Sequence, residues 1–260
     1  MRLRRKISLG RLEKNIDYSR YRLSLREIVI YGSMGVGIAA LIAYVFYRSV
    51  IAFIFVSPVA IYYMKVKQRE LRDKRYLVLS IQFKELMNAL IASLQAGYSI
   101  ENSFVHSYND MSLLFGKGSY ISREVGIIIK GMRNNSNVED LLLDFGIRSH
   151  IDDIKDFAEI FRIAKRSGGN LTEIIQQTAD VIGEKMDVRR KLSTIISAKK
   201  MEQSIMNVIP FGIILYIDWS SPGFFDALYH NLTGILIMTA LLGIYGLAYV
   251  LAGRIIDIKV

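Results

Sequence analysis

The chain has 260 residues, 52% of them hydrophobic, no cysteine, three prolines and a formal net charge of +10. Zero cysteines exclude disulfides, thiol catalysis and cysteine-ligated zinc. The hydrophobic share is high for a soluble protein, and the charge suits loops held against anionic lipid head groups. Nucleic-acid binding would also use such charge, but no Gly-rich or aromatic RNA-binding signature is present and much of the basic excess abuts apolar runs, so no nucleic-acid partner is expected.

Residues 1–27 form a basic N-terminal segment with nine Lys and Arg. Ile28–Tyr47 follows without a charge, about 20 residues, enough to cross a hydrocarbon core about 30 Å thick. Val50–Met64 comes directly after Arg48 and Ser49. One straight helix over 28–64 would be far longer than the bilayer is thick, so the pair predicts a transmembrane hairpin of two spans. No small-residue cleavage site follows the first run, which is expected to be retained.

The charged segment 65–203 reads as helical throughout. Arg75–Leu94 places Leu79, Phe83, Leu86, Met87, Leu90 and Leu94 at three- and four-residue spacing and stops at Gly97, suited to a left-handed cap. Ser99 caps a second helix over Ile100–Phe115, broken by Gly116-Lys117-Gly118. A third covers about Ser119–Met132, and Asn137 caps a fourth over Val138–Phe145. Ser149 with Asp152 resembles a capping box for a fifth, whose stripe is Ile151, Ile154, Phe157, Ala158, Phe161 and Ala164. Lys165 and Arg166 sit in its last turn, and Gly168 and Gly169 end it. Asn170 opens a sixth helix that meets no breaker from Leu171 to Pro210, with Leu171, Ile174, Ile175, Thr178, Val181, Ile182, Leu192, Ile195 and Ile196 as its apolar stripe.

Residues 204–253 form a second hairpin, Ser204–Ile217 and Leu232–Gly253, joined by Asp218–Asn231. The first of these runs is short for a span, so Trp219 and Phe224-Phe225 anchor it at the interface or its helix starts before Ser204. Pro58 and Pro210, inside apolar runs, read as kinks. Residues 254–260 are a tail. The expected fold is therefore all-α: a polytopic membrane protein whose two transmembrane hairpins flank a six-helix bundle. Lys65–Arg75 adds six more cations, whereas the short connections between paired spans contain only Arg48, so both termini and the central domain are expected in the cytoplasm of a multi-pass inner-membrane protein.

Sites for chemistry are sparse. Asp152, Asp153, Asp156 and Glu159 are carboxylates of the kind that gather divalent cations, but an acidic helix start complementing the dipole is the favoured reading. His106, His150 and His230 lack metal-ligand spacing. No phosphate-binding Gly-Lys-Ser/Thr loop or Gly-x-Ser-x-Gly elbow occurs, and neither a catalytic residue nor a cofactor is expected. Ser33 with Gly37, and Ala240 with Gly243 and Gly246, offer smooth helix faces read as packing inside the membrane part. No ionisable residue lies well inside a span, which argues against an ion-translocating transporter.

The run LIASLQAGYSIENSF (Leu90–Phe104), the glycine turn and long helix in FAEIFRIAKRSGGNLTEIIQQTADVIGEKMDVRRKLSTIISAKK (Phe157–Lys200), the Pro210-containing span and the ending GRIIDIKV (Gly253–Val260) resemble the type II secretion F domain family. Within it they look most like the TadB-type platforms of Flp (tight-adherence) pilus machines. The resemblance implies a platform whose cytoplasmic bundle contacts a TadA-like hexameric secretion ATPase and helps move prepilin subunits into a filament. One copy of the domain stands where relatives usually carry two, which implies a TadC-like sister protein or a second copy of the chain. For such an ATPase, Lys165 and Arg166 form a compact basic patch, with helix-end complementation as the competing role. A small membrane receptor or transport component with a sensing or gating bundle is the alternative function.

Overall fold

The computed structural model describes residue 18 and residues 23–167, 171–229 and 231–256. Gly168, Gly169, Asn170 and His230, with most of the N-terminal segment and residues 257–260, lie outside the described residues. The elements are α1 (Leu25–Tyr47), α2 (Val50–Val56), α3 (Pro58–Gln95), α4 (Ile100–Phe115), α5 (Tyr120–Arg133), α6 (Val138–Ser149), α7 (Asp152–Ser167), α8 (Leu171–Ser220), a 3-10 turn at Asp226–Leu228 and α9 (Leu232–Ile256). No strand occurs among the described residues.

Contacts divide the chain into two units, one of residues up to 21 with 70–187, the other of 22–69 with 188–260. The first unit is built on one core. Leu79, Phe83, Leu86, Met87 and Leu90 of α3 meet Phe104 and Met111 of α4, Val125 and Ile128 of α5, Phe145 of α6, Phe157 and Phe161 of α7 and Ile175 of α8. At its centre the Phe83 ring packs edge-on against Phe157 at 5.3 Å and Phe145 at 6.2 Å, a geometry that aromatic quadrupoles favour.

Local chemistry sets the helix limits here. Gly97 takes φ 86° and the Tyr98 amide donates to the Ser93 carbonyl at 3.2 Å, a left-handed end to α3 that a Cβ would strain. The Ser99 and Ser119 hydroxyls accept the Asn102 and Ser122 amides at 3.3 and 3.2 Å, satisfying free donors at the starts of α4 and α5.

Several boundaries differ from expectation. The domain's first helix does not begin at Arg75: α3 runs 38 residues from Pro58, because nothing between Val59 and Gln95 breaks a helix and its Lys, Arg, Glu and Leu content favours one. The bend falls instead at Ser57, just before Pro58. α6 continues past Phe145 to Ser149. Gly146 does not break it but permits close approach, since a Cβ there would stand 2.8 Å from the Lys155 Cα. Gly146→Ala is therefore expected to cost about 1–3 kcal/mol by forcing α6 from α7, measurable in thermal unfolding of the purified protein. Ser149 is not the cap of α7. It closes α6, its hydroxyl donating to the Gly146 carbonyl at 2.8 Å and accepting the Ile151 amide at 3.2 Å, while His150 turns the chain at φ 54°.

α8 extends 50 residues and passes through Pro210 without ending. Its buried face in the first unit is Ile175, Ala179, Ile182 and Met186, whereas Val181 is 64% exposed. The expected stripe holds Ile175 and Ile182 of this face but adds the exposed Val181 and omits Ala179 and Met186, because apolarity alone does not choose between the adjacent Val181 and Ile182.

Among the described residues, three helices are long and apolar enough to cross a membrane: Leu25–Tyr47, Val50–Gln95 taken as one, and Leu232–Ile255. Ser204–Ile217 is not one of them by length and composition. It nevertheless packs among them: Phe211 meets Phe46 of α1 at 6.1 Å and Tyr245 of α9 at 5.5 Å, and the Tyr245 hydroxyl donates to the Asn207 carbonyl at 3.0 Å. The small-residue contact inside the first hairpin is made by Gly35, whose Cβ would lie 3.2 Å from Ala60, not by Gly37. Gly37, Gly243 and Gly246 meet no neighbour within 4 Å, so their expected packing is absent here.

Candidate functional site

A buried carboxylate organises the first unit. Glu124, on the inner face of α5, is fully buried, and two Arg148 nitrogens at the end of α6 donate to its two oxygens at 2.9 and 2.7 Å. The third Arg148 donor, Nε, reaches Asp144 one turn back at 2.7 Å. Such a fork-to-carboxylate pair is among the strongest side-chain contacts available, and it locks α5 to α6. The Tyr18 hydroxyl donates to Glu124 Oε1 at 2.9 Å. Burial and then Glu124 push the Tyr18 pKa up. Burial alone would lower the Arg148 pKa, but its Glu124 and Asp144 bonds raise it overall, so the guanidinium stays charged. The sequence reading missed this centre, since neither Glu124 nor Arg148 belongs to a motif and Tyr18 lies in a stretch read only for its charge.

Lys165 and Arg166 separate in the structure. The Lys165 ammonium donates to Glu139 of α6 at 2.8 Å, tying the end of α7 to the start of α6. Burial would raise the Glu139 pKa, but the Lys165 bond and the Lys165 and Arg166 charges pull it down overall. That stabilisation is present above the ordinary carboxylate range and is lost as pH falls through the lowered value. Arg166 is exposed, so the expected two-cation patch reduces to Arg166 beside a lysine already engaged.

The acidic start of α7 is partly neutralised. Asp153 is buried, and Lys185 of α8 donates to it at 2.5 Å, whereas Asp152, Asp156 and Glu159 are exposed, Glu159 lying 3.8 Å from Lys155. No group of three or more carboxylates, histidines or cysteines fit to hold a metal occurs among the described residues. Asp153, Asp156, Ile160, Val181, Ile182 and Lys185 line a groove of about 270 Å³ between α7 and α8. His106 stacks on Tyr98 at 4.4 Å.

The second unit has its own polar centre. Arg48, between α1 and α2, pairs with Asp218 near the end of α8 and lies 3.5 Å from Asp226. It also stands 4.8 Å above the Tyr229 ring, whose hydroxyl donates to the Val45 carbonyl at 2.7 Å. The connection after α1 and the connection between α8 and α9 thus meet at one place, and the lone cation of those connections neutralises their acidic residues.

Structural ion pairs occupy both centres, each within a unit made of helices. Over residues 86–217, a little over half its length, the chain matches the family described as Type II secretion system (T2SS), protein F, and it belongs to that family. These are inner-membrane components of type II secretion and type IV pilus-type machines, platforms rather than enzymes. The match runs to Ile217 and so takes in the apolar end of α8. No curated protein and no solved structure matches the chain.

Proposed function

We propose that the chain is the TadB-like platform of a type IV-like (Flp/Tad) pilus or type II secretion machine, coupling a cytoplasmic secretion ATPase to the insertion of pilin subunits into a filament. The observation that carries this reading is α8, one unbroken helix that contributes Ile175, Ala179 and Ile182 to the core of the family domain and Phe211 to the packing with α1 and α9. A helix with roots in both units transmits tilt or rotation from one to the other. The partners implied are a TadA-like ATPase, prepilins, membrane lipids, and a TadC-like sister or a second copy of this chain to complete the usual pair of domains.

The two polar centres support a four-span topology. The Tyr18 contact with Glu124 and Arg148 favours a start of the chain on the domain's side of the membrane, with α1 and the Val50–Gln95 helix as the two crossings in between. On that reading the connection that carries Arg48, and Asp218 paired with it, is extracytoplasmic. Ser204–Ile217 is then the third of four proposed spans, despite its modest apolarity. The Lys and Arg excess in residues 1–27 and 65–75 makes the domain side cytoplasmic.

Arg166 is the exposed cation offered to acidic ATPase loops. Lys165→Glu would set two carboxylates together and loosen α6 from α7, so the informative substitution is Arg166→Glu alone. The reading is tested by co-purification of the full chain from membranes with a cytoplasmic hexameric ATPase. Capture of the ATPase by the wild type, reduced about tenfold in Arg166→Glu with the helical circular-dichroism signal retained, is the expected result. Unchanged capture returns Arg166 to a helix-end role. No capture at all, together with ligand-dependent flux in liposomes, would favour the receptor or transport alternative.

A further inference from the structure

We propose that Glu124 and Arg148 form a socket for the chain's own basic N-terminal segment, with Tyr18 as the plug. The segment, on its charge alone, would be assigned to the lipid surface. The geometry assigns it to the domain.

Recognition of Tyr18 is threefold. Its hydroxyl donates to Glu124 Oε1, which already accepts one Arg148 nitrogen, so the phenol completes the carboxylate. Its backbone amide donates to the Arg148 carbonyl at 3.3 Å, where α6 is about to end. Its ring meets Tyr120 edge-on at 5.9 Å, and the Arg75 guanidinium lies 5.6 Å from that same Tyr120 ring. The side chain is fully buried, and so is Glu124. A phenol supplies what this place needs: an apolar body for the wall at Tyr120 and a single donor for a carboxylate in a low-dielectric site, where an unfilled acceptor is costly. A lysine would bring a second cation beside Arg148, and a phenylalanine would leave Oε1 with the Arg148 nitrogen alone.

The consequence concerns where the segment's charge acts. With Tyr18 seated, the chain is pinned to α5 and α6 at a residue preceded by six Lys and Arg in sequence and seven residues before α1 begins at Leu25. With Tyr18 withdrawn, those cations are released to anionic lipid and Glu124 is left to Arg148 alone. The socket is thus an intramolecular docking site that a membrane surface rich in anionic lipid opposes.

Trypsin reads the docked state directly, because Lys14, Arg20 and Arg22 flank Tyr18. The full chain is digested in nanodiscs of zwitterionic lipid, as wild type, Tyr18→Phe and Glu124→Gln, with cleavage after Lys117 in the α4–α5 connection as the internal reference. Loss of the hydrogen bond to a charged acceptor in Tyr18→Phe is expected to speed cleavage after Arg20 and Arg22 about tenfold, and its weakening to a neutral amide acceptor in Glu124→Gln is expected to speed them less, with cleavage after Lys117 unchanged in both. Adding anionic lipid to the wild-type nanodiscs is expected to speed the same two cleavages. Tyr18→Phe is nearly isosteric, so an intact Lys117 reference separates undocking from unfolding. Wild-type rates after Arg20 and Arg22 in Tyr18→Phe would overturn the proposal. Mixing the Glu124→Gln chain with the Tyr18→Phe chain unites an intact plug and an intact socket on different copies; restored protection would give the socket to a second copy and overturn the intramolecular assignment.

Discussion

Arg148→Ala is expected to destabilise the first unit by about 3–5 kcal/mol, the largest effect of any single substitution considered, because it strips a fully buried carboxylate of its counter-charge. Alanine removes both donors to Glu124 and the donor to Asp144, and the Tyr18 hydroxyl cannot neutralise what remains. Glu124→Gln is expected to cost less, since the amide oxygen still accepts a donor and no unpaired anion is buried. The double replacement Glu124→Leu with Arg148→Met is expected to recover much of the loss, because exchanging a buried pair for apolar side chains of similar volume is often near neutral. Thermal unfolding of the full chain, followed by circular dichroism, orders the three. An Arg148→Ala midpoint at or above that of Glu124→Gln would mean that the pair does not hold α5 to α6.

If the chain is the proposed platform, a Gly-Gly insertion after Ala198 is expected to abolish filament assembly while leaving the protein in the membrane and bound to the proposed ATPase. The site lies in α8 beyond Met186, which is buried in the core of the first unit, and before Asn207, whose carbonyl accepts the Tyr245 hydroxyl of α9. Two glycines cost only about 2 kcal/mol of helix propensity, too little to unfold either unit. They do introduce a joint and shift the register of everything beyond by two residues, about 200° around the helix at 3.6 residues per turn. Filament counts by electron microscopy of a complemented deletion strain give the answer. Normal piliation would show that the membrane part of α8 is an anchor and not the transmitter.

The elements were legible where chemistry is local. Ser99 and Gly116 bracket α4 at Ile100–Phe115 because a cap hydroxyl and a positive-φ glycine act within a few residues of the bonds they make. Legibility fell where a residue type has two uses. Gly146 looks like a stop and serves as a place for Lys155 to approach, and Ser149 looks like a cap and closes the preceding helix. The site was the least legible part. Tyr18 and Glu124 are 106 residues apart, Arg48 and Asp218 are 170 apart, and no spacing rule joins positions that only the folded chain brings together. Lys165 is visible as a cation at a helix end, but its partner Glu139 sits on another helix 26 residues away.

Membrane topology tests the account most directly, and the absence of native cysteine makes the measurement clean. Single cysteines placed at Met1, Lys117, Ser221 and Val260 are labelled in whole cells with a membrane-impermeant thiol reagent, then again after lysis. Labelling of position 221 in intact cells, with positions 1, 117 and 260 reacting only after lysis, is the result that four crossings and a cytoplasmic domain require. Labelling of position 117 in intact cells with position 221 protected would contradict it.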